Sequence, residues 1–400
     1  MMSNNAPLRI AMLAPFGIRP KGTLLARMLP LAQALTRQGH IIEIIAPSVL
    51  NPEDAGSFVE YDGVRIFHTQ TSKLPSPLYD VSQVIQLTQR TLAFKPDVVH
   101  IFKPKGYAGL SGLYLKFLHP KLPLIIDTDD WEGWGGWNDL LPYPWFAKQV
   151  FAWQERDLPR RANAVTVVSQ TLETQIWGFG VDPKQVFYVP NGLANVSAYV
   201  EKSQARKTLG FTDQPIVLLY TRFWEFDLLE LVETLVLLNN QMPNVRALVI
   251  GKGERGEEKE LLRLAEHFGF ANILDYRGWV QPNDIPIFLS AADVALMPMN
   301  DTLINRARGL AKLLELMTAR LPIVASRVGQ VVEYLDNGTC GVLVQAHNPV
   351  AFAKAVVDLL EQAEKRQNLG EAASRRVREM YNWDRLASIA LQAYISSVNI

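Results

Sequence analysis

The chain has 400 residues, 48% hydrophobic and 20% charged, a globular balance too long for one core, so two domains are expected. Lys plus Arg and Asp plus Glu number 40 each, which excludes the one-sign field that favours nucleic acid or an acidic partner. The single cysteine, Cys340, excludes an internal disulfide framework.

Leu8 to Ala14 reads as a first buried strand, and it leads into a glycine loop rather than a cleavage site. No run reaches the ~18 apolar residues that a spanning helix requires. The expectation is a soluble, cytoplasmic protein. A loop from Pro15 to Gly22 is followed by a helix from about Thr23 to Gln38, which Gly39 closes, and Ile41 to Ala46 is the next strand. Val98–Ile101, Leu124–Ile126 and Ala164–Val168 read as further buried strands. After Asn191-Gly192 a second series follows: Ile216–Tyr220, Val245–Ile250, Ile273–Tyr276, Val294–Met297 and Ile323–Ala325. Strands alternating with helices indicate two doubly wound α/β domains, with ligand bound at the carboxyl ends of the strands.

Several groups could carry chemistry. Gly17 and Gly22, with Lys21 and Arg27, flank the first helix, where a glycine backbone serves either a tight turn or an anionic or hydroxyl-rich ligand. Asp127-Thr128-Asp129-Asp130 follows a strand directly. It fits a D-x-D metal site, an aspartyl nucleophile with a partner acid, a polar contact to a sugar, or a helix cap and turn. Arg222 ends a strand of the second series and could clamp a diphosphate or pair with Glu225 or Asp227. Gly251-Lys252-Gly253 could admit a base or phosphate, or form a plain turn. His100 alone among the six histidines sits between a strand and a loop, and no His/Cys cluster has zinc spacing. Trp131, Trp134, Trp137, Trp145 and Trp153 crowd one region with Lys148, Arg156, Arg160 and Arg161, as a core helix and loop or as a sugar-stacking or bilayer-facing surface. Glu315 lies in an apolar helical run (Leu313, Leu314, Leu316, Met317), so its charge needs Lys312 or a ligand hydroxyl as partner.

In their order and spacing these segments resemble the retaining glycosyltransferases of family 4, which have the GT-B fold. The similarity rests on Tyr276 to Pro298 (Y-R-G-W-V-Q-P-N-D…A-A-D-V-A-L-M-P) and on Lys312 to Gly329 (K-L-L-E-L-M-T-A-R-L-P-I-V-A-S-R-V-G). It rests also on Pro190-Asn191-Gly192, on the stretch from Arg37 to Pro47, and on Trp383-Asp384. The resemblance implies two Rossmann-like domains facing a central cleft: an acceptor domain over residues 1–195, a nucleotide-sugar domain over 196–380, and a last helix, 381–400, crossing back to the first.

It further implies a sugar transferred from a nucleotide-diphosphate donor to an acceptor hydroxyl with retention, as in hexosyltransferases, with no cofactor or metal required. Glu315 would bond the ribose, and Arg222 and Lys312 with the Arg308-Gly309-Leu310-Ala311 backbone would meet the diphosphate. Gly278 and Val280, with Arg277, would line the base, and Gly17 and Gly251 would complete the donor side. Asp129, Asp130 and Arg222 would be catalytic, and His100 and Trp131 would face a carbohydrate, lipid-linked or small-molecule acceptor. Nucleic acid is not an expected partner; peripheral contact with the cytoplasmic face of a membrane is.

The chain departs from the family pattern at Ala307, where the first Glu of its E-x7-E motif would stand, and at Asp227, where a Lys would follow Arg222. Arg306, Arg308 and Lys312 are then expected to supply the missing positive charge. The alternatives are a catalytically degenerate sugar-nucleotide binder and a D-x-D metal-dependent phosphohydrolase using Asp127 and Asp129.

Overall fold

The computed structural model describes residues 6–18, 23–49, 51–193 and 200–398. Lys21 and Gly22 lie outside them. Contacts divide the described chain into two compact units, one holding residues up to 193, 307–309 and 381–398, the other 200–306 and 310–380.

The first unit is built on an eight-stranded sheet: β1 (Arg9–Leu13), β2 (Ile41–Ala46), β3 (Phe58–Tyr61), β4 (Val64–His68), β5 (Val98–Phe102), β6 (Leu124–Thr128), β7 (Ala164–Val167) and β8 (Val186–Tyr188). Their spatial order is β3-β4-β2-β1-β5-β6-β7-β8, parallel except for the β3–β4 hairpin. The chain winds outward from β1 in one direction and then from β5 in the other. The loops leaving β1 and β5 therefore part at the switch point, where open sheets of this type bind ligands.

Alternation along β1 sends side chains to two separate cores. Ile10 and Met12 pack with the helix Leu29–Arg37 and with the last helix, Trp383–Val398. Ala11 and Leu13 pack with Leu87, Phe94, Leu115 and Leu158 from the helices Leu78–Phe94, Gly106–Leu118 and Trp145–Arg161. The last helix is thus an integral part of the first unit. Its Tyr394 is buried against His100, and Gly192 is a glycine because a Cβ there would come within 2.9 Å of Trp383 and Leu386.

The second unit carries six strands, all parallel: β9 (Ile216–Thr221), β10 (Arg246–Gly251), β11 (Leu274–Gly278), β12 (Val294–Met297), β13 (Ile323–Ser326) and β14 (Val342–Val344), in the order β11-β10-β9-β12-β13-β14. Its switch point lies between β9 and β12, so Arg222, just past β9, stands at the ligand-binding edge. The helix Ala311–Thr318, which carries Glu315, connects β12 to β13. No described helix is long and apolar enough to cross a membrane.

Candidate active site

In the first unit the residues following β5 and β6 form a buried charge cluster. Pairing of Phe102 with Asp127 brings the two strand ends together. Lys103, held at φ 56, reaches Asp130 at 2.6 Å, Glu132 at 3.0 Å and Asp129 at 3.2 Å. Lys105 binds Glu132 at 2.6 Å and covers the rings of Tyr143 and Phe151. Burial would push Glu132 up, but the two lysines hold it at about 2. Burial would push Lys103 down, but Asp129, Asp130 and Glu132 raise it well above the ordinary amine range. Two cations thus face four carboxyl groups, and the excess is absorbed by protons. Burial and repulsion from Glu132 push Glu155 well above the carboxylate range. Burial also raises Asp129, to about 7, with Lys103 opposing and Asp130 and Asp127 assisting. Asp129 is therefore a carboxyl group poised to exchange a proton near neutrality.

Asp127 has a different environment. Arg27 donates to its two oxygens at 2.8 and 2.6 Å, and Thr166 adds a hydroxyl bond at 2.6 Å. Burial favours the neutral acid, yet this guanidinium reverses the balance and holds Asp127 below its usual value. Arg27 also bonds the Val189 carbonyl and the Asn191 side chain, so the pair ties the first helix to β6 and to the Pro190-Asn191-Gly192 turn. With both oxygens held by Arg27, Asp127 is a structural anion, and the phosphohydrolase reading loses its nucleophile. Among the described residues no group of three or more His, Cys, Asp or Glu side chains is arranged to hold a metal ion.

Two residues expected at the acceptor are placed in the interior instead. His100 is fully buried; its Nδ1 meets the Tyr394 hydroxyl at 2.8 Å and its Nε2 the Thr166 hydroxyl at 3.1 Å. Burial lowers it to about 4, with Arg27 assisting and Asp127 opposing, so it is a neutral core residue with both nitrogens committed. Trp131 is buried against Phe179, its indole N–H donating to the Trp134 carbonyl at 2.7 Å. Gly17 has a packing reason: a Cβ there would lie 2.1 Å from the Asn51 side chain.

In the second unit Glu315 has a third kind of partner, which the sequence reading missed. Tyr220, the penultimate residue of β9, donates its phenol to Glu315. Lys312 lies 4.6 Å over the Tyr220 ring. Burial raises the Glu315 carboxyl above its usual value, with Lys312 and the Tyr220 bond opposing. Burial and Glu315 raise the Tyr220 phenol in turn. Nothing in the sequence around Tyr220 distinguishes it from an ordinary strand residue; only the β9–helix packing reveals it.

Arg222 is half exposed and pairs with Glu254 at 2.8 Å, not with Glu225 or Asp227. Asp227 instead caps the helix Leu228–Gln241, accepting from the Leu229 amide at 2.8 Å, which accounts for an acid at that position. Arg306 makes a two-point ion pair with Asp301, so it could serve as a replacement cation only by releasing that acid. Arg308 and Gly309 are half-buried, and Leu310 begins the Glu315 helix without a side-chain cap. Arg277 bonds Asp275 and the Leu209 carbonyl. Gly278 and Val280 are half-buried beside exposed Trp279. Gly251 has φ 120, and a Cβ would lie 1.8 Å from the Thr221 carbonyl, so the close β9–β10 approach alone requires glycine.

Two doubly wound units with charged groups gathered at their strands' carboxyl ends define a nucleotide-binding class of α/β protein. Known proteins narrow that class. A family model described as a glycosyl transferase 4-like domain matches residues 22–192, and one described as glycosyl transferases group 1 matches residues 201–376. The chain belongs to the glycosyltransferases built from these two domains on the GT-B fold. A D-inositol 3-phosphate glycosyltransferase of Paenarthrobacter aurescens is 27% identical over 165 residues, 41% of this chain and 39% of that protein. The match thus spans about two fifths of that relative's length. The sucrose-phosphate synthase structure from Thermosynechococcus elongatus superposes with a TM-score of 0.74 at 20% identity, covering 97% of this chain and 98% of its own. The Anabaena HepE structure in complex with UDP-glucose gives 0.69 at 18% identity, covering 96% and 99%. These likenesses show the fold.

Proposed function

We propose that the protein transfers a hexosyl group from a nucleoside-diphosphate sugar to an acceptor hydroxyl with retention of configuration. The observation that carries the donor half is Glu315, a half-buried carboxylate that accepts from the Tyr220 phenol with the Lys312 ammonium nearby. A ribose diol bonded to it would be worth about 1.5–3 kcal/mol, as for other hydrogen bonds to charged groups. The first amides of the Ala311–Thr318 helix, entered at Leu310, lack a side-chain cap and offer donors to a diphosphate oxygen. Lys312 and Arg222 add positive charge, the latter by releasing Glu254. Such donors would stabilise the departing diphosphate, and a leaving oxygen that assists attack from its own face needs no separate carboxylate nucleophile.

In the acceptor half the supporting group is Asp129, a carboxyl held near pH 7 at a strand's carboxyl end, suited to exchanging a proton with an incoming hydroxyl. Asp130 would keep its ion pair with Lys103. Ala307 stands eight residues before Glu315, where the resembling family has its first Glu, so donor-sugar contacts in this chain would come from other groups. We place the activity in the cytoplasm and assign it no cofactor.

UDP-glucose, present in the HepE structure, is the first donor to try, with GDP and ADP sugars beside it. The test is calorimetric titration of the nucleoside diphosphates into wild type and Glu315→Gln, followed by NMR of the product's anomeric proton. Binding weakened about tenfold or more by Glu315→Gln, and an unchanged anomeric configuration, are expected. No nucleotide binding, or an inverted product, would overturn the reading.

A further inference from the structure

The helices Leu78–Phe94, Gly106–Leu118 and Trp145–Arg161 form one layer on one face of the first sheet, the first packing on the second and the second on the third. Each uses one stripe for the core, through Leu87 and Phe94, Ala108 and Leu115, and Leu158. Each carries a second apolar stripe that faces outward. On the first helix it is Leu78, Val81 and Ile85; on the second, Leu110, Tyr114 and Phe117; on the third, Phe146, Val150 and Trp153, with Trp145 at its start. The spacing in every case is that of one helical face. The exposures are large, 84% for Phe117, 73% for Trp145 and 68% for Phe146. Scattered surface leucines need no explanation, but three adjoining outward stripes do.

Cations outnumber acids around the second and third stripes. Arg156 and Arg160 follow Trp153 by three and seven residues, on the same exposed face. From Gly106 to Pro123 there is no acidic residue, while Lys116 and Lys121 are present. Of the acids nearby, Asp157 pairs with Arg161, Glu155 is pushed toward its neutral form by burial, and Asp80 accepts from the Tyr107 and Ser76 hydroxyls. This local excess stands out in a chain of zero net charge.

We infer that this three-helix face docks on an anionic lipid surface, its aromatic rings entering the interface and Arg156, Arg160 and Lys121 meeting the headgroups. Trp, Phe and Leu on one face, interleaved with arginine and with no span, are the makings of a protein that lies on a bilayer. A binding face for a second protein copy would not need this charge excess, because an isologous contact would set arginine against arginine. The inference also relocates the surface expected from the tryptophan-rich stretch. Trp131 is buried and Trp137 half-buried, and the helices before that stretch supply two of the three stripes.

Flotation of the full-length protein with phosphatidylcholine vesicles, with and without phosphatidylglycerol, tests this. Wild type is expected to float with the phosphatidylglycerol vesicles and to be released by salt. Arg156→Gln with Arg160→Gln should weaken that binding about tenfold or more. Phe117→Ser with Trp145→Ser and Phe146→Ser should abolish it while leaving circular dichroism and melting unchanged, since these rings are already solvent-exposed. No flotation of wild type, equal flotation of the triple variant, or a wild-type dimer that the triple variant makes monomeric would each overturn the inference. None of these readouts uses a sugar nucleotide, so the result stands apart from the proposed activity.

Discussion

Asp129→Asn is expected to make the protein more stable and less active, by amounts that depend on pH. Burial moves the Asp129 carboxyl from 3.8 to about 7 in the folded chain. An acid whose folded pKa is raised contributes its full stability below the unfolded value and loses it as pH rises toward the folded one. For Asp129 that window runs from about pH 4 to about pH 7, and above it the loss is constant. Relative to a permanently neutral amide, the wild-type side chain is then less stable by roughly 4 kcal/mol near pH 8 and by less than half of that near pH 5, with its surroundings held fixed. That is a large share of a total of roughly 5–15 kcal/mol. Urea unfolding of both proteins at the two pH values reads the difference directly. If Asp129 exchanges the acceptor's proton, the amide loses transfer while keeping nucleoside diphosphate binding. An equal stability difference at pH 5 and pH 8, or a destabilised amide variant, would refute the account of the cluster.

Arg27→Met should cost about 3–5 kcal/mol, because it strands the buried Asp127 charge. Adding Asp127→Leu should recover most of that loss, and urea midpoints of the single and double variants decide it. Tyr220→Phe removes the phenol that stabilises ionised Glu315, so the carboxyl's pKa rises further; the acid limb of nucleoside diphosphate binding should then move to higher pH, as read by titration calorimetry. Gly251→Ala places a Cβ on the Thr221 carbonyl at a positive φ and should lower the melting temperature, with a cost of about 2 kcal/mol or more measurable in urea.

The buried parallel strands were legible because each is a continuous apolar run, as Leu124–Ile126 and Ile323–Ala325 show. The β3–β4 hairpin was not, although Asp62-Gly63 is the turn dipeptide that such a hairpin uses; its flanking strands are half exposed and carry charges that blur the pattern. At the site, Glu315 declared itself as a carboxylate in an apolar helix, and Asp129 as one of three acids after a strand. Their partners did not. Lys103 lies 27 residues from Asp130, and Tyr220 sits on a different element from Glu315, so both pairings are products of strand order. His100 illustrates the opposite error. Its place at a strand near a loop looked available, but alternation points it into the core toward the last helix.

The His100–Tyr394 contact joins residues 294 positions apart and closes the interior of the first unit. During synthesis, then, the first half of the chain leaves the ribosome with one side of its sheet covered only in part, by the helix Leu29–Arg37. Ile10, Met12 and Ile44 await the rest of their cover, the helix Trp383–Val398, which is translated long after them. A chain stopped at Met380 would expose that surface, so the first half expressed alone should be prone to aggregation. Supplying the terminal helix as a separate segment should restore its solubility.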